Sequence, residues 1–246
     1  MATLDYYNKL GEKTSSRMAS GRYFSLKNYT FDIFKDLDGK LHFSAEDTVL
    51  DLGGGTGEIA QHIAPRVKAL TLADGADKAI AAAQRKLKHY TNITYSVFNF
   101  TIDEFPFTER FDKIVCYQMA MYLESPEQFK EFVGKLLRSV KDGGVICIGD
   151  IPLSEKYSQS LEERKKFPLK NFILNQKYYL KRLVTELFLR FKKIDSSGNK
   201  TRNYTRDELV EILKQFQNIR YTFLEQNKAL PFANSREDLI IRKILQ

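Results

Sequence analysis

Short apolar, β-branched runs alternate with amphipathic segments between positions 47 and 150 of the 246-residue chain. The apolar runs predict strands over 47–52, 68–74, 92–97, 112–117 and 144–150, and the amphipathic segments predict helices over 57–64, 76–89 and 125–141. Strands that alternate with helices are typical of a doubly wound, mostly parallel α/β sheet. We therefore expect one such domain, since a chain of this length needs no second one.

The two ends of the chain follow different patterns. Residues 1–45 predict short helices, and residues 151–200 predict a basic helical cap inserted after the fifth strand. Residues 201–246 predict a helix, which the capping box of Thr205 and Glu208 opens, and then strands over 218–225 and 238–244. Within the cap, apolar residues recur at helical spacing, and we interpret that stripe as core: Phe172, Ile173, Tyr179, Leu180, Leu183, Val184, Leu187 and Phe191.

The segment VLDLGGGTGEIA, Val49 to Ala60, carries the strongest chemical signal. It reads as a strand, a tight loop and a helix start, and four glycines fall in the loop: Gly53, Gly54, Gly55 and Gly57. Glycine backbone can take positive φ and approach a ligand closely, so we expect the loop to hold a nucleotide-like cofactor. Asp51 lies at the mouth of this loop, where a carboxylate can accept hydrogen bonds or face a positive charge.

Two cofactor classes use loops of this kind. The series Asp51, Gly53, Gly55, Gly57 resembles motif I, D/E-x-G-x-G-x-G, of the class I S-adenosylmethionine (SAM) dependent methyltransferases. Residues 55–60 also satisfy the dinucleotide fingerprint G-x-G-x-x-A, which leaves an NAD-dependent oxidoreductase as an alternative. A carboxylate two residues before the first glycine would repel a pyrophosphate, but not the sulfonium and ammonium groups of SAM. The pattern therefore favours SAM, with S-adenosylhomocysteine as product.

The resemblance implies a seven-stranded Rossmann-like sheet whose last strand is inserted antiparallel, an N-terminal lid over residues 1–45 and a SAM-binding core over 46–150. Asp74 ends the second predicted strand, 17 residues after Gly57, where an acid binds the ribose diol. The remaining cofactor residues are expected after the third and fourth strands: Phe98 and Asn99 beside the adenine, and Tyr117 and Gln118 near the reacting end. The resemblance places Tyr122 at the methyl-transfer site.

The reaction implied is metal-independent methyl transfer to a small molecule, with O-methylation expected. Asp150 ends the fifth strand and is either the general base or a cap for the turn at Pro152. Metal-dependent enzymes of this family need acids at the ends of two strands, and the sequence offers Asp150 alone. We interpret His62 and His89 as solvated, His42 as structural, and the two cysteines as buried apolar residues.

Charge is concentrated in the second part of the chain. The net charge is +8, and residues 151–246 contain 20 Lys and Arg against 11 Asp and Glu, a net +9. These cations form either a solvated face or a site for an anionic acceptor; the candidates are Arg164, Lys165, Lys166, Lys170, Lys177, Lys181 and Arg182. The segment GVICIGDIP with the basic insertion after it resembles methyltransferases of bacterial capsule polysaccharide loci. That resemblance implies a nucleotide-linked sugar or a phosphoramidate precursor as acceptor.

Some functional classes are disfavoured because the sequence lacks the features that they require. No apolar run approaches the length of a membrane span and no signal peptide is evident, so we expect a cytoplasmic enzyme without membrane insertion. The loop after the fourth strand lacks the D/N/S-P-P-Y/F motif of enzymes that methylate nucleic-acid bases, so DNA is not an expected partner. An RNA methyltransferase and a non-catalytic SAM-binding subunit remain alternatives, and homo-oligomer formation is left open.

Overall fold

The computed structural model describes most of the chain. The described residues are 6–9, 12, 29–100, 103–107, 111–165, 180, 183–184, 186–192, 201–230 and 232–244, with the side chains of 163–165 excepted.

Seven strands of the described residues form one sheet. They are β1 Thr48–Leu52, β2 Ala69–Asp74, β3 Ile93–Val97, β4 Phe111–Tyr117, β5 Val140–Pro152, β6 Ile219–Glu225 and β7 Arg236–Lys243. Their order in the sheet is β3-β2-β1-β4-β5-β7-β6. The first five strands run parallel, and β7 pairs antiparallel with both β5 and β6. This order confirms the doubly wound sheet and its antiparallel last strand.

Helices cover both faces of the sheet. They are α1 Thr30–Leu41, α2 Ala60–Ile63, α3 Asp77–Lys86, α4 Pro126–Ser139, α5 Ser154–Lys165 and α6 Arg206–Leu213, with 3-10 turns at Ala64–Arg66 and Ala120–Tyr122. Apolar residues of α1, α2 and α3 pack on one face, and those of α4 and α6 pack on the other. Neighbouring strand residues such as Val49 and Leu50 therefore belong to different core clusters, because successive side chains of a strand point to opposite faces.

Side-chain caps begin two of the helices. The Ser125 hydroxyl accepts a hydrogen bond from the Gln128 backbone N–H at 3.2 Å, at the start of α4. At the start of α6 the Thr205 hydroxyl accepts from the Glu208 N–H at 3.2 Å, as the predicted capping box requires. The Glu208 carboxylate pairs with Arg202.

Two predicted boundaries were wrong. The helix expected from Gly57 begins at Ala60, because Gly57 has φ of 74° and still belongs to the turn. The helix predicted over 125–141 ends at Ser139, and the strand predicted from position 144 begins at Val140, so Gly143 lies inside β5.

The interpretation of the cap stripe as core was also wrong for the part that the structure describes. The described residues between positions 180 and 191 are helical, and we call them the cap helix. Five apolar side chains of this helix are exposed: Leu180, Leu183, Val184, Leu187 and Phe191. Leu189, on the opposite side, is buried against Tyr6. Helical periodicity identified an apolar face, but another face makes the packing contact.

Candidate functional site

The glycine loop lies at the carboxyl end of β1, beside the end of β2. The backbone N–H groups of Gly53 and Gly54 donate to the Ala73 carbonyl at 2.7 and 3.2 Å, which joins the loop to β2. Gly53 and Gly55 have φ of 75° and 55°, the left-handed region that glycine adopts without a Cβ penalty. The expected positive-φ loop is therefore present at the edge where ligands of open α/β sheets bind.

The space around each glycine shows which part of the loop is open. A Cβ on Gly53 would lie 2.1 Å from the Met119 sulfur, and one on Gly57 would lie 2.6 Å from Leu87 Cδ1. A Cβ on Gly55 would have only Asp74 Oδ2 within reach, at 4.0 Å. The loop is thus packed against the protein at its two ends and open at Gly55, which gives a ligand access to its backbone.

Asp74 fixes the loop from the end of β2. Its Oδ2 accepts from the Gly55 N–H at 2.9 Å, and its Oδ1 accepts from the Ala76 N–H at 2.8 Å. Burial raises the pKa of Asp74, and these two hydrogen bonds oppose that effect. The carboxylate is held beside the open part of the loop. Its predicted contact with a ribose diol stays a prediction.

Asp51 is buried near the end of β1, with 2% of its surface exposed. Its Oδ2 lies 2.8 Å from where a Cβ on Gly54 would stand, so the carboxylate packs directly beneath the loop. Its charge contact with a cofactor stays a prediction.

The two residues expected beside the adenine differ in their surroundings. Phe98 is 2% exposed and packs edge-on against Phe105 and Phe107, with ring centroids 5.3 and 5.6 Å away. Phe98 therefore belongs to the hydrophobic core, and its contact with an adenine stays a prediction. Asn99 is half-buried, and its backbone N–H donates to Asp103 Oδ2 at 2.7 Å. Asp103, an acid four positions further on, was not singled out by the sequence.

One residue at the carboxyl end of β4 and one at that of β5 have left-handed backbone. Gln118 has φ of 63°, and its N–H donates to the Gly149 carbonyl at 3.1 Å. Asp150 on the neighbouring strand has φ of 61°, and its Oδ2 accepts from Gln118 Nε2 at 2.8 Å. A left-handed backbone conformation strains a non-glycine residue and persists only where the surrounding structure holds it. The two predicted residues are therefore brought together at the carboxyl ends of β4 and β5.

Asp150 accepts hydrogen bonds from two further side chains. Its Oδ2 also accepts a hydrogen bond from Arg236 Nη1 at 2.7 Å, and its Oδ1 accepts one from Gln226 Nε2 at 3.1 Å. The side chain of Asp150 is 3% exposed. The general-base role stays a prediction, but these contacts show a buried, ion-paired carboxylate that holds Gln118. Pro152, where the sequence predicted a turn, is the last residue of β5.

The same cluster continues through residues that the sequence analysis missed. Gln226 Nε2 also lies 3.1 Å from the Tyr117 hydroxyl and 2.9 Å from Asp238 Oδ1. Asp238 is fully buried, and its Oδ2 accepts from Lys40 Nζ at 2.7 Å. Burial raises the pKa of Asp238, with Lys40 opposing that rise. A charged residue within the apolar run of β7 was the one sequence signal for this cluster.

Tyr122 ends the 3-10 turn after β4 and meets the N-terminal helical turn, residues 6–9. Its hydroxyl forms a hydrogen bond with the Tyr7 hydroxyl, and the two rings meet edge-on at 6.0 Å. Tyr6 in the same turn packs against Leu189 of the cap helix. The loop after β4, the N-terminal turn and the cap helix therefore meet on one side of the crevice.

Several predicted residues cannot be placed. The acceptor-site candidates Lys166, Lys170, Lys177, Lys181 and Arg182 lie outside the described residues, as do the side chains of Arg164 and Lys165. Of the lid, the structure describes residues 6–9, 12 and 29–45.

Histidine and cysteine do not form a metal site in the described part of the chain. His62 is half-buried, with its ring against those of Phe31 and Phe34, and burial lowers its pKa. Burial raises the pKa of the Cys116 and Cys147 thiols, as befits buried apolar residues. Among the described residues, no group of three or more His, Cys, Asp or Glu could hold a metal ion. No described helix is long and apolar enough to cross a membrane.

Comparison with known proteins identifies similar chains. Residues 49–144 match the family model described as a methyltransferase domain. Nodulation protein S of Rhizobium tropici is 29% identical over 100 residues, which is 41% of this chain and 41% of that relative. The chain therefore matches less than half of that curated relative.

Solved structures resemble the fold over a greater length. Phosphoethanolamine N-methyltransferase 1 of Haemonchus contortus, in complex with phosphoethanolamine and S-adenosylhomocysteine, has a TM-score of 0.70 at 13% identity, covering 98% of this chain and 48% of that one. The N-methyltransferase NodS of Bradyrhizobium japonicum with S-adenosylhomocysteine has a TM-score of 0.57 at 15% identity, covering 93% and 98%. These likenesses show the class I methyltransferase fold, and the family match supports a methyltransferase.

Proposed function

We propose that this chain is a SAM-dependent methyltransferase that acts on a small molecule. The observation that carries the proposal is the glycine loop, whose open part at Gly55 lies against the fixed carboxylate of Asp74. The match of residues 49–144 to a methyltransferase domain supports it independently.

The residues at the crevice suit SAM as the cofactor. The open backbone at Gly55 can approach the ligand, and Asp74 can accept hydrogen bonds from a ribose diol through the lone pairs that the two N–H groups leave. SAM supplies a methyl group on a sulfonium for in-line transfer to a nucleophile. The buried carboxylate of Asp51 adds negative charge under the loop, which favours a cationic ligand over a pyrophosphate.

The chain's own contribution to such a transfer is alignment and exclusion of water. Gln118 is held by Asp150, and Tyr117 is held by Gln226, so both side chains are fixed at the end of β4. Tyr122, under the N-terminal turn, closes the same side. Because Arg236 and two amides already engage its carboxylate, Asp150 is a positioning residue, and the alternative is that it acts as the general base.

The charge of the acceptor and the atom that receives the methyl group form the next part of the proposal. The net +9 of residues 151–246 supports an anionic acceptor, and the sequence resemblance extends this to O-methylation of a nucleotide-linked sugar or phosphoramidate precursor in capsule biosynthesis. A second candidate is N-methylation of a phosphorylated amine, because two structurally similar proteins are described as N-methyltransferases and one holds phosphoethanolamine.

Thermal stabilisation tests the cofactor. A ligand at about 100 times its Kd stabilises a fold by roughly 2.7 kcal/mol, so SAM and S-adenosylhomocysteine should each raise Tm. NAD serves as the matched control. A shift with NAD and none with SAM would identify an oxidoreductase instead.

Mass spectrometry tests the transfer. The chain is incubated with SAM and a panel of phosphorylated alcohols, nucleotide sugars, phosphorylated amines and RNA, and each compound is examined for one added methyl group. Methylation of alcohols supports the O-methylation proposal, and methylation of amines supports the second candidate. SAM binding without transfer to any class would favour a non-catalytic subunit.

A further inference from the structure

The cap helix presents an apolar face to solvent. Leu187 is 57% exposed and Phe191 is 82% exposed. With Leu180, Leu183 and Val184 they lie on one face, because a helix repeats every 3.6 residues. Leu189 lies on the opposite face and is 4% exposed, so the helix packs on the protein through its other side.

The sequence of this segment is basic. Between positions 180 and 193 the sequence has five Lys and Arg against one Glu. Arg190 is exposed beside Phe191, and Lys192 follows it. An amphipathic helix with an apolar stripe and cationic neighbours is suited to the boundary of an anionic bilayer, where apolar burial and attraction to headgroups act together.

We propose that the outer face of the cap helix docks onto an anionic lipid surface. Charge favours this occupant over a second copy of the chain, because two copies would bring the same cations together on a protein of net charge +8. The contact would be peripheral, because an amphipathic helix of this kind lies in the plane of the interface. It would bring the Tyr122 side of the crevice near the lipid, through the N-terminal turn that packs on the helix.

A single introduced Trp can report directly on this contact, because the chain contains no Trp of its own. The full-length Phe191→Trp variant therefore carries a single fluorophore on the proposed face, and Val97→Trp is the matched control at 58% exposure on β3. On addition of phosphatidylcholine vesicles containing phosphatidylglycerol, emission of the first variant should shift to shorter wavelength and be quenched by brominated lipid. Emission of the control should stay unchanged.

Co-sedimentation of the unaltered chain with vesicles tests the charge component. Binding to phosphatidylglycerol vesicles should exceed binding to pure phosphatidylcholine, and it should weaken as the screening length falls from about 8 Å at 0.15 M salt to 3 Å at 1 M. The Leu187→Glu, Phe191→Glu double variant should lose binding, whereas Val97→Glu should keep it. Equal binding by the double variant, equal binding to both vesicles, or no binding by the unaltered chain would overturn the proposal. So would a dimer that the double variant dissociates, since the face would then belong to a second copy.

Discussion

The ion pair between Asp150 and Arg236 can be tested by removing each partner. The side chains are 3% and 18% exposed, and Nη1 lies 2.7 Å from Oδ2. Breaking a buried pair costs about 3 to 5 kcal/mol, and the partial exposure of Arg236 reduces this, so Asp150→Asn should lower the free energy of unfolding by about 2 to 4 kcal/mol. Arg236→Gln should cost a comparable amount.

Urea denaturation of both single variants and the double variant measures the coupling between the two side chains. We expect a coupling energy of about 1 to 3 kcal/mol, because the partners are in direct contact. The exposed pair of Lys214 and Glu211 at the end of α6, with side chains 60% and 69% exposed, is the control, and its coupling should stay below about 0.5 kcal/mol. A coupling for Asp150 and Arg236 as small as that of the control would refute the buried-pair reasoning.

The same variants separate a base from a positioning residue. If Asp150 is the general base, Asp150→Asn should lower kcat by roughly 10² to 10⁴, while Arg236→Gln, which keeps the carboxylate, should change kcat little. If Asp150 positions Gln118, both variants should lower kcat to similar extents, with SAM affinity retained. We expect the second result from the contacts of Asp150.

Four further outcomes are expected. Asp74→Ala should weaken SAM binding by about 1 to 3 kcal/mol in calorimetry, whereas Asp77→Ala, at an exposed position on α3, should not. Gly53→Ala should lower Tm and SAM affinity because its Cβ would lie 2.1 Å from a sulfur, whereas Gly39→Ala, with open space around it, should stabilise α1 by up to about 1 kcal/mol. Burial lowers the pKa of Lys40, but its two acidic partners raise that pKa by more. The stabilisation of the fold by Lys40 is therefore present below pH 10.5 and is lost as pH rises further. The Tm difference between the unaltered chain and Lys40→Met should shrink above that pH. Methyl transfer should persist in EDTA, and loss with rescue by Mg²⁺ would contradict the metal-independent reaction.

The features of this protein that depend on local chemistry could be predicted from the amino-acid sequence alone. The order Asp51, Gly53, Gly55, Gly57 specifies a tight loop, because only glycine adopts such backbone without cost. Alternation of strand and helix patterns specified the sheet, since buried parallel strands read as continuous apolar runs. Thr205 marked a helix start because its hydroxyl caps a nearby N–H.

Contacts between side chains that are distant in the sequence could not be predicted, because they depend on how the elements pack. Lys40 and Asp238 are 198 positions apart, and Tyr7 and Tyr122 are 115 apart, so no local pattern could pair them. The insertion of β7 beside β5 brings Arg236 to Asp150. The cap helix shows the same limit, because a period of 3.6 residues identifies an apolar face but not whether another surface covers it. Leu189 is covered and Phe191 is exposed, since contact with the N-terminal turn, rather than hydrophobicity, selects the buried side.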